Sequence, residues 1–110
     1  RGVGFDIDPV MVRAARENVK RNGVEDLVTI IQADILKIDL SKADVITTYL
    51  LPELNQKLIP QLEKLKPGSR IVCHDYEIEG VIADEYITMV SNEVNARHTI
   101  YLYTVPLKKK

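Results

Sequence analysis

The chain has 110 residues, of which 45% are hydrophobic and 28% are charged, and its formal net charge is −1. This length supports one small domain with one core, and the composition excludes a disordered chain and a strongly basic nucleic-acid-binding protein. The single cysteine, Cys73, excludes an internal disulfide framework, so we expect a cytoplasmic protein, and no apolar run is long enough to predict a membrane segment.

The first predicted elements are a short strand from Gly2 to Asp6 and a helix from Pro9 to about Arg21. Asp8 can cap this helix, and Pro9 suits its first turn, where no amide donor is required. Asn22-Gly23 predicts a left-handed helix end. The predicted apolar stripe consists of Val12, Ala15 and Val19, joined by Met11 and Ala14. An acid that closes a strand before such a helix is typical of a ribose-binding position in nucleotide-binding α/β folds.

The middle of the chain alternates β-branched runs with a helical pattern. Val28 to Ile31 predicts a strand, Ile35 to Ala43 a loop or very short helix, and Asp44 to Tyr49 another strand. A helix then starts at Pro52, and Pro60 is expected to kink or divide it. Its predicted apolar side carries Leu54, Leu58, Leu62 and Leu65. Lys66 to Ser69 ends the helix, and Arg70 to His74 predicts the next strand. This order is typical of a parallel α/β sheet.

The last segment predicts a hairpin rather than another parallel unit. Tyr86 to Val94 and Thr99 to Val105 are strand-like runs, separated by the loop Asn95 to His98. One of these strands can lie antiparallel on an otherwise parallel sheet. We expect Lys108 to Lys110 to form a frayed, solvated tail.

The order of elements resembles the class I S-adenosylmethionine-dependent methyltransferase fold. The residues that carry the resemblance are Gly4 to Asp8, Gln32 to Ile35, Asp44 to Leu51 and Leu65 to Val72. The resemblance implies an α/β, Rossmann-like fold with a mostly parallel sheet, a C-terminal antiparallel hairpin, and S-adenosyl-L-methionine as the cofactor. It also implies cofactor-binding residues: Asp6 for the ribose hydroxyls, Asp34 for the adenine amino group, the backbone amide of Ile35 for a ring nitrogen, and Ile7 for the adenine face.

Further stretches are similar to small archaeal-type protein-lysine methyltransferases, namely Ala43 to Leu51, Leu62 to Arg70, His74 to Gly80 and His98 to Tyr103. This similarity implies methyl transfer to a lysine amine of a protein substrate. It places Thr47, Thr48 and Tyr49 beside the transferred methyl group as catalytic residues. Tyr49 has two readings: it walls the amine or accepts a hydrogen bond from it, or it is simply an amphipathic residue at the sheet edge.

Other residues with chemical potential carry weaker predictions. Asp75, Glu77 and Glu79 either attract a basic substrate segment or form a solvated face. The types found at Cys73, His74, Asp75 and His98 can bind metals, but their spacing does not match a closed zinc site, and we predict no metal. Tyr101 and Tyr103 are read as packing residues. No basic segment interleaved with aromatic residues predicts a nucleic-acid partner.

The glycine-rich loop expected after the first strand of the family has no match in this sequence. We therefore expect residues 1–110 to be a single, N-terminally truncated domain that lacks the first strand and helix of the fold. The alternative is a non-catalytic oligomeric α/β module derived from the same fold, which self-associates as a homo-oligomer through exposed sheet edges.

Overall fold

The structure is a computed structural model that describes residues 1–91 and 96–110. The chain divides into two compact units, residues 1–38 and residues 39–110. Each unit is described by itself below. The prediction of one domain over residues 1–110 stays a prediction.

The first unit is a strand–helix–strand motif. Strand β1 spans Gly2–Asp6, helix α1 spans Pro9–Arg21 and strand β2 spans Val28–Gln32, followed by a 3₁₀ turn at Ile35–Lys37. The two strands pair in parallel, with Gly2 opposite Val28 and Asp6 opposite Gln32. The Arg16 guanidinium joins the helix to β2, because it donates to the carbonyl oxygen of Ile30 at 3.0 and 3.2 Å. All four predicted elements are confirmed.

Helix α1 begins and ends where its local sequence predicts. The Asp8 carboxylate accepts a hydrogen bond from the Val10 amide at 2.9 Å, and Gly23 follows the helix with a φ of +65°. The predicted apolar stripe is only partly correct. Val12 is buried, and Ala15 and Val19 are partly buried, but Met11 and Ala14 are exposed. A helix that packs against two strands covers a narrow stripe, and residues at its flanks stay in solvent.

The second unit contains a four-stranded mixed sheet. Strand β3 spans Val45–Thr48 and pairs in parallel with β4, Arg70–His74. Two further strands join β4 in antiparallel order, β7 at Arg97–Thr104 and then β6 at Glu85–Val90 at the edge. The prediction that a hairpin strand lies antiparallel on the sheet is therefore confirmed, but the sheet of this unit is mixed rather than mostly parallel, because both hairpin strands join it.

Helix α2 spans Pro52–Leu62 and continues through Pro60 instead of being divided there. Pro60 lies in the last turn, so the backbone hydrogen bond that it removes weakens only the helix end. The predicted apolar side is confirmed, because Leu58, Leu62 and Leu65 are buried and Leu54 is partly buried. Further buried side chains of this unit come from β4, β7 and the segment that follows β4: Ile71, Cys73, Ile78, Val81 and Tyr103.

The hairpin begins earlier on its second strand than the sequence predicts. Arg97 and His98 pair with Val90 and Met89 as part of β7, whereas the sequence places them in the loop. The reason is that strand pairing extends as far as cross-strand partners allow, while a polar run alone resembles a turn. The predicted strand end at Val94 and the loop start at Asn95 lie outside the described residues.

The C-terminal lysines are not a frayed tail. Strand β8, Lys108–Lys109, pairs antiparallel with β5, Val81–Ile82. The Lys108 ammonium lies 3.1 Å from an Asp84 carboxylate oxygen, and the Lys109 ammonium lies 3.4 Å from a Glu63 carboxylate oxygen. Backbone pairing and opposite charges therefore order the segment. Among the described residues, no helix is long and apolar enough to cross a membrane.

Candidate functional site

The two predicted cofactor-binding carboxylates lie at the same edge of the β1–β2 sheet. Asp6 is the last residue of β1 and pairs with Gln32, the last residue of β2, and Asp34 follows two residues later. The carboxyl ends of neighbouring parallel strands are the usual ligand-binding edge of an α/β sheet. The first unit thus holds both acids on one edge.

Both carboxylates also organise their own turns. One oxygen of Asp6 accepts a hydrogen bond from the Asp8 amide at 2.9 Å, and one oxygen of Asp34 accepts from the Leu36 amide at 3.0 Å. An ionised carboxylate has about four acceptor positions on its two oxygens, so a single turn hydrogen bond leaves capacity for a ligand hydroxyl or amino group. The capping role and the ligand-binding role are compatible at each position.

Two apolar residues flank these acids at the same edge. Ile7 follows Asp6, its side chain is 66% exposed, and its carbonyl oxygen accepts a hydrogen bond from the Gln32 amide group at 3.4 Å. Ile35 is partly buried and is the first residue of the 3₁₀ turn. An exposed isoleucine beside a carboxylate offers an apolar surface of the kind that a flat aromatic ring can cover.

In the second unit, the three predicted catalytic residues, Thr47, Thr48 and Tyr49, have different surroundings. Thr48 ends β3 and its hydroxyl donates to the buried Cys73 sulfur at 3.2 Å, whereas the preceding Thr47 is exposed. Burial raises the pKa of the Cys73 thiol, and the Thr48 hydrogen bond only partly offsets this. Cys73 therefore stays a protonated thiol at neutral pH and is a packing residue.

Tyr49 follows β3 and lies against a group of polar and aromatic residues. Its ring centroid is 4.2 Å from that of His74 and 6.1 Å from that of Tyr76, and its hydroxyl is 3.5 Å from an Asp75 carboxylate oxygen. Desolvation, together with the negative charge of Asp75, raises the pKa of Tyr49. Tyr49 is therefore a neutral phenol at physiological pH and can donate a hydrogen bond as well as present its ring.

The sequence groups His74, Asp75 and His98 only by residue type, and the structure brings their side chains together in one cluster. The His98 Nδ1 atom lies 3.0 Å from His74 Nε2 and 3.0 Å from Asp75 Oδ2, and His74 Nε2 lies 3.5 Å from the same Asp75 oxygen. The hydrogen bond with His98 lowers the pKa of Asp75, and the Thr99 amide adds to this effect while desolvation opposes it. Asp75 is thus an ionised carboxylate that is hydrogen-bonded within the protein, and not a freely solvated acid.

Backbone geometry holds Asp75 in this cluster. Its φ is +63°, a left-handed conformation that is unfavourable for most non-glycine residues. Two hydrogen bonds with Thr99 maintain it: the Asp75 amide donates to the Thr99 carbonyl at 2.7 Å, and the Thr99 amide donates to Asp75 Oδ1 at 3.1 Å. The β4–β7 pairing therefore fixes the direction of the Asp75 side chain.

The register of the sheet explains why the sequence did not reveal this cluster. His74 pairs with Ile100, so His98 is its diagonal neighbour on the same face, and Tyr49 continues β3 beside His74. Histidines 24 residues apart carry no local spacing signal. The sequence does show that side chains alternate along β7, which places His98, Ile100 and Leu102 on one face of the strand. This alternation does not show which residue of β4 lies beside His98, because that depends on the register of the pairing.

Two buried side chains fix the segment that follows Asp75. The Asn55 amide nitrogen donates to the Tyr76 carbonyl at 3.1 Å and lies 3.4 Å from the carbonyl oxygens of Glu77 and Leu50. The Tyr103 hydroxyl accepts a hydrogen bond from the Ile78 amide at 2.8 Å. Burial of the Tyr103 side chain raises its pKa to about 12. The packing role predicted for Tyr103 is confirmed, whereas Asn55 was not singled out by the sequence.

The two other acids of this segment differ in their surroundings. Glu77 is partly buried, and Glu79 is exposed with a carboxylate oxygen 3.5 Å from the Gln56 side-chain amide. Whether they attract a basic substrate stays a prediction.

Comparisons with known proteins agree on one enzyme class. A family model described as the ANTKMT methyltransferase domain matches residues 1–85. A protein-lysine N-methyltransferase of Saccharolobus islandicus is 39% identical over 106 residues, which cover 96% of this chain and 65% of that protein. A ribosomal protein L11 methyltransferase of Caldanaerobacter subterraneus is 34% identical over 108 residues, covering 97% of this chain and 31% of that protein. The chain thus spans less than two thirds of these relatives.

One solved structure similar to this chain was determined with S-adenosyl-L-homocysteine bound. The crystal structure described as an RNA methyltransferase from Salinibacter ruber in complex with S-adenosyl-L-homocysteine superimposes with a TM-score of 0.82 at 44% identity. The match covers 96% of this chain and 66% of that protein.

Proposed function

The chain belongs to the ANTKMT methyltransferase domain family, and from this membership we propose that its protein transfers a methyl group from S-adenosyl-L-methionine to a lysine amine of a protein. The family is one of class I S-adenosylmethionine-dependent methyltransferases with an α/β, Rossmann-like fold, which agrees with the resemblance found in the sequence. The observation that carries the proposal is the family match over residues 1–85. The 39% identity to the archaeal protein-lysine methyltransferase supports the choice of lysine.

Cofactor binding is assigned to Asp6, Ile7, Asp34 and Ile35. The residues fit the ligand because Asp6 and Asp34 have acceptor positions beyond their turn hydrogen bonds, and the exposed Ile7 side chain offers an apolar surface beside them. We assign Asp6 to the ribose hydroxyls and Asp34 to the adenine amino group, with the Ile35 amide on a ring nitrogen. When bound, S-adenosyl-L-methionine supplies a methyl group on a positively charged sulfur, which is already activated for transfer.

Methyl transfer makes modest demands on the protein. Bound S-adenosyl-L-methionine would supply the methyl group to the neutral lysine nitrogen, the electron pair of the carbon–sulfur bond would stay on sulfur, and the methylated amine would release a proton to solvent. Because a free lysine amine has a pKa of about 10.4, the site must favour its neutral form and exclude water. We assign orientation of the amine to Thr47, Thr48 and Tyr49, with the neutral Tyr49 hydroxyl and ring bordering it.

The first prediction tests the cofactor assignment with two matched variants. Asp6→Asn removes a charge but keeps an oxygen for the Asp8 amide, so the turn persists while the ribose contact weakens. A hydrogen bond to a charged group is worth about 1.5–3 kcal/mol, so we expect the Kd for S-adenosyl-L-methionine to rise roughly 10- to 150-fold. Isothermal titration calorimetry measures this change.

Asp8→Asn is the control for this experiment. It makes the same chemical change two residues away and keeps the cap on Val10. Its Kd should equal that of the wild type. Equal Kd values for Asp6→Asn and the wild type would contradict the ribose assignment.

A separate experiment tests the methyl acceptor. The protein as its gene encodes it is incubated with isotopically labelled S-adenosyl-L-methionine and either a lysine-rich cell protein fraction or total RNA. We expect label on protein, and mass spectrometry should locate it on lysine. Label on RNA would contradict the lysine assignment and favour the acceptor named for the Salinibacter protein. Absence of both cofactor binding and label would instead favour the non-catalytic oligomeric module.

A further inference from the structure

The sequence predicts no metal at these residues, but from their geometry we propose that His74, Asp75 and His98 bind one divalent transition-metal cation, with Zn²⁺ as the preferred ion. The three candidate ligand atoms are His74 Nε2, Asp75 Oδ2 and His98 Nδ1, and all three residues are partly buried within the second unit. Neutral imidazole and carboxylate are ordinary zinc ligands. This site goes beyond methyl transfer, because it uses none of the residues assigned to the cofactor.

The distances among the three atoms match a metal site. They are 3.0 Å between the two ring nitrogens, 3.0 Å from His98 Nδ1 to Asp75 Oδ2, and 3.5 Å from His74 Nε2 to Asp75 Oδ2. Ligand atoms about 2.0–2.1 Å from a tetrahedral zinc ion are roughly 3.3 Å apart. The triangle is therefore close to the size that a single zinc ion requires.

Hydrogen bonding alone accounts poorly for this triangle. Each imidazole nitrogen offers either one hydrogen or one lone pair, directed in the plane of its ring. His98 Nδ1 lies 3.0 Å from His74 Nε2 on one side, and 3.0 and 3.2 Å from the two Asp75 carboxylate oxygens on the other. His74 Nε2 likewise lies 3.0 Å from His98 Nδ1 and 3.5 Å from Asp75 Oδ2. One hydrogen cannot point straight at both partners. A cation at the centre uses one lone pair from each of the three atoms.

The surroundings of the cluster support this role. The Thr99 amide donates to Asp75 Oδ1, and Oδ2 is the carboxylate oxygen nearer to His98 Nδ1, at 3.0 Å against 3.2 Å for Oδ1. Such hydrogen bonds to ligating carboxylates are typical of metal sites. The three side chains are 23–35% exposed, so an ion can enter from solvent. Three protein ligands also leave one position open, as in zinc sites that bind water or substrate.

The first test uses the wild-type protein. Untagged protein is treated with EDTA and then titrated with ZnCl₂ while its NMR spectrum is recorded. The chain contains two histidines, so both imidazole signals can be followed directly. We expect both signals to shift together and to reach their end point at one equivalent of zinc. A shift of only one signal, no shift, or an end point at several equivalents would overturn the proposal.

Variants then identify the ligands. His98→Ala and Asp75→Asn should each weaken zinc binding at least about tenfold, measured by competition with a chelating dye. Glu77→Gln is the control, because it removes a nearby carboxylate outside the triangle, and Cys73→Ala tests the neighbouring thiol. Both controls should keep the wild-type Kd. If Glu77→Gln or Cys73→Ala weakens binding as strongly as Asp75→Asn, the ligand assignment is wrong.

Cobalt provides a readout of geometry that loss of folding cannot imitate. Co²⁺ added to the wild-type protein should give the intense visible absorption of a tetrahedral ion, and excess zinc should remove it. His98→Gln, checked for a native circular dichroism spectrum, should lack this absorption. A weak spectrum like that of aqueous cobalt in the wild type would contradict a three-ligand site.

Discussion

Asn55 is the buried polar residue that connects helix α2 to the segment after β4. Its side chain is 2% exposed. Its amide nitrogen donates a hydrogen bond to the Tyr76 carbonyl oxygen and lies close to neighbouring carbonyl oxygens. Those carbonyl groups border the segment that carries Asp75, next to Tyr49. A single buried amide therefore positions residues of both the proposed acceptor site and the proposed metal site.

Replacing Asn55 tests this positioning role. Asn55→Ala leaves buried carbonyl groups without their donor, and we expect the free energy of unfolding to fall by about 1–3 kcal/mol. Urea denaturation followed by circular dichroism measures it. The matched control is Gln56→Ala on the same helix, whose exposed side chain should change stability by less than about 0.5 kcal/mol. Equal losses in the two variants would show that the contacts of Asn55 are not needed.

At the scale of elements, the small β5–β8 sheet shows how the C-terminal lysines become ordered. Backbone pairing alone contributes little in a sheet of two-residue strands. Side chains add to it, since Asp84, between β5 and β6, lies 3.1 Å from the Lys108 ammonium. The pKa of Asp84 is lowered most by a hydrogen bond with Thr104 and next by the hydrogen bond with Lys108.

The lowered pKa of Asp84 predicts a defined pH dependence. As the pH falls, the unfolded chain protonates Asp84 before the folded chain does, so the unfolded state binds more protons and stability decreases. The contribution is complete above the unfolded pKa of about 3.9 and is lost as the pH passes below the folded pKa. We expect the stability gap between wild type and Asp84→Asn to shrink from pH 6 to pH 3 in urea denaturation.

Two further variants identify the cause of this effect. Thr104→Val removes the contact that lowers the pKa most and should reduce the pH dependence more than Lys108→Met, because Lys108 is largely exposed. The reverse order would mean that charge, not the Thr104 hydrogen bond, dominates.

At the scale of the whole molecule, the two units differ in how much apolar surface they bury. In residues 1–38, all of which the structure describes, Val12 is the one buried apolar side chain. Most of the buried core belongs to residues 39–110, including Leu58, Ile71 and Tyr103. The unit that carries the cofactor assignment is therefore the one with less internal packing.

This difference predicts unequal hydrogen exchange. Regions with few buried contacts open at a lower free energy than core strands, so amides of β1 and β2 should exchange at least about tenfold faster than those of β4 and β7. Exchange followed by mass spectrometry measures both strand pairs in one sample. Similar protection in the two units would show that they unfold as one cooperative body.

The sequence by itself predicted the features that depend on neighbouring residues. The Asp8 cap, the turn at Gly23, the end of β1 at Asp6 and the Asp34 cap of the 3₁₀ turn follow from short-range hydrogen bonds and backbone preferences. Segments around Asp6 and Asp34 also carried the resemblance to methyltransferases. Expectations for Met11 and for the C-terminal lysines were wrong, because helix packing and strand pairing depend on distant partners.

The tertiary structure alone decided which distant side chains meet. Strand register brings His98 beside His74, the left-handed backbone of Asp75 turns its carboxylate toward both rings, and Tyr49 joins them from β3. Side chains alternate between the two faces of a strand, so a shift of one residue in the pairing would have separated these groups. Local sequence preferences do not specify that register, because it is set by pairing energies summed over the whole sheet.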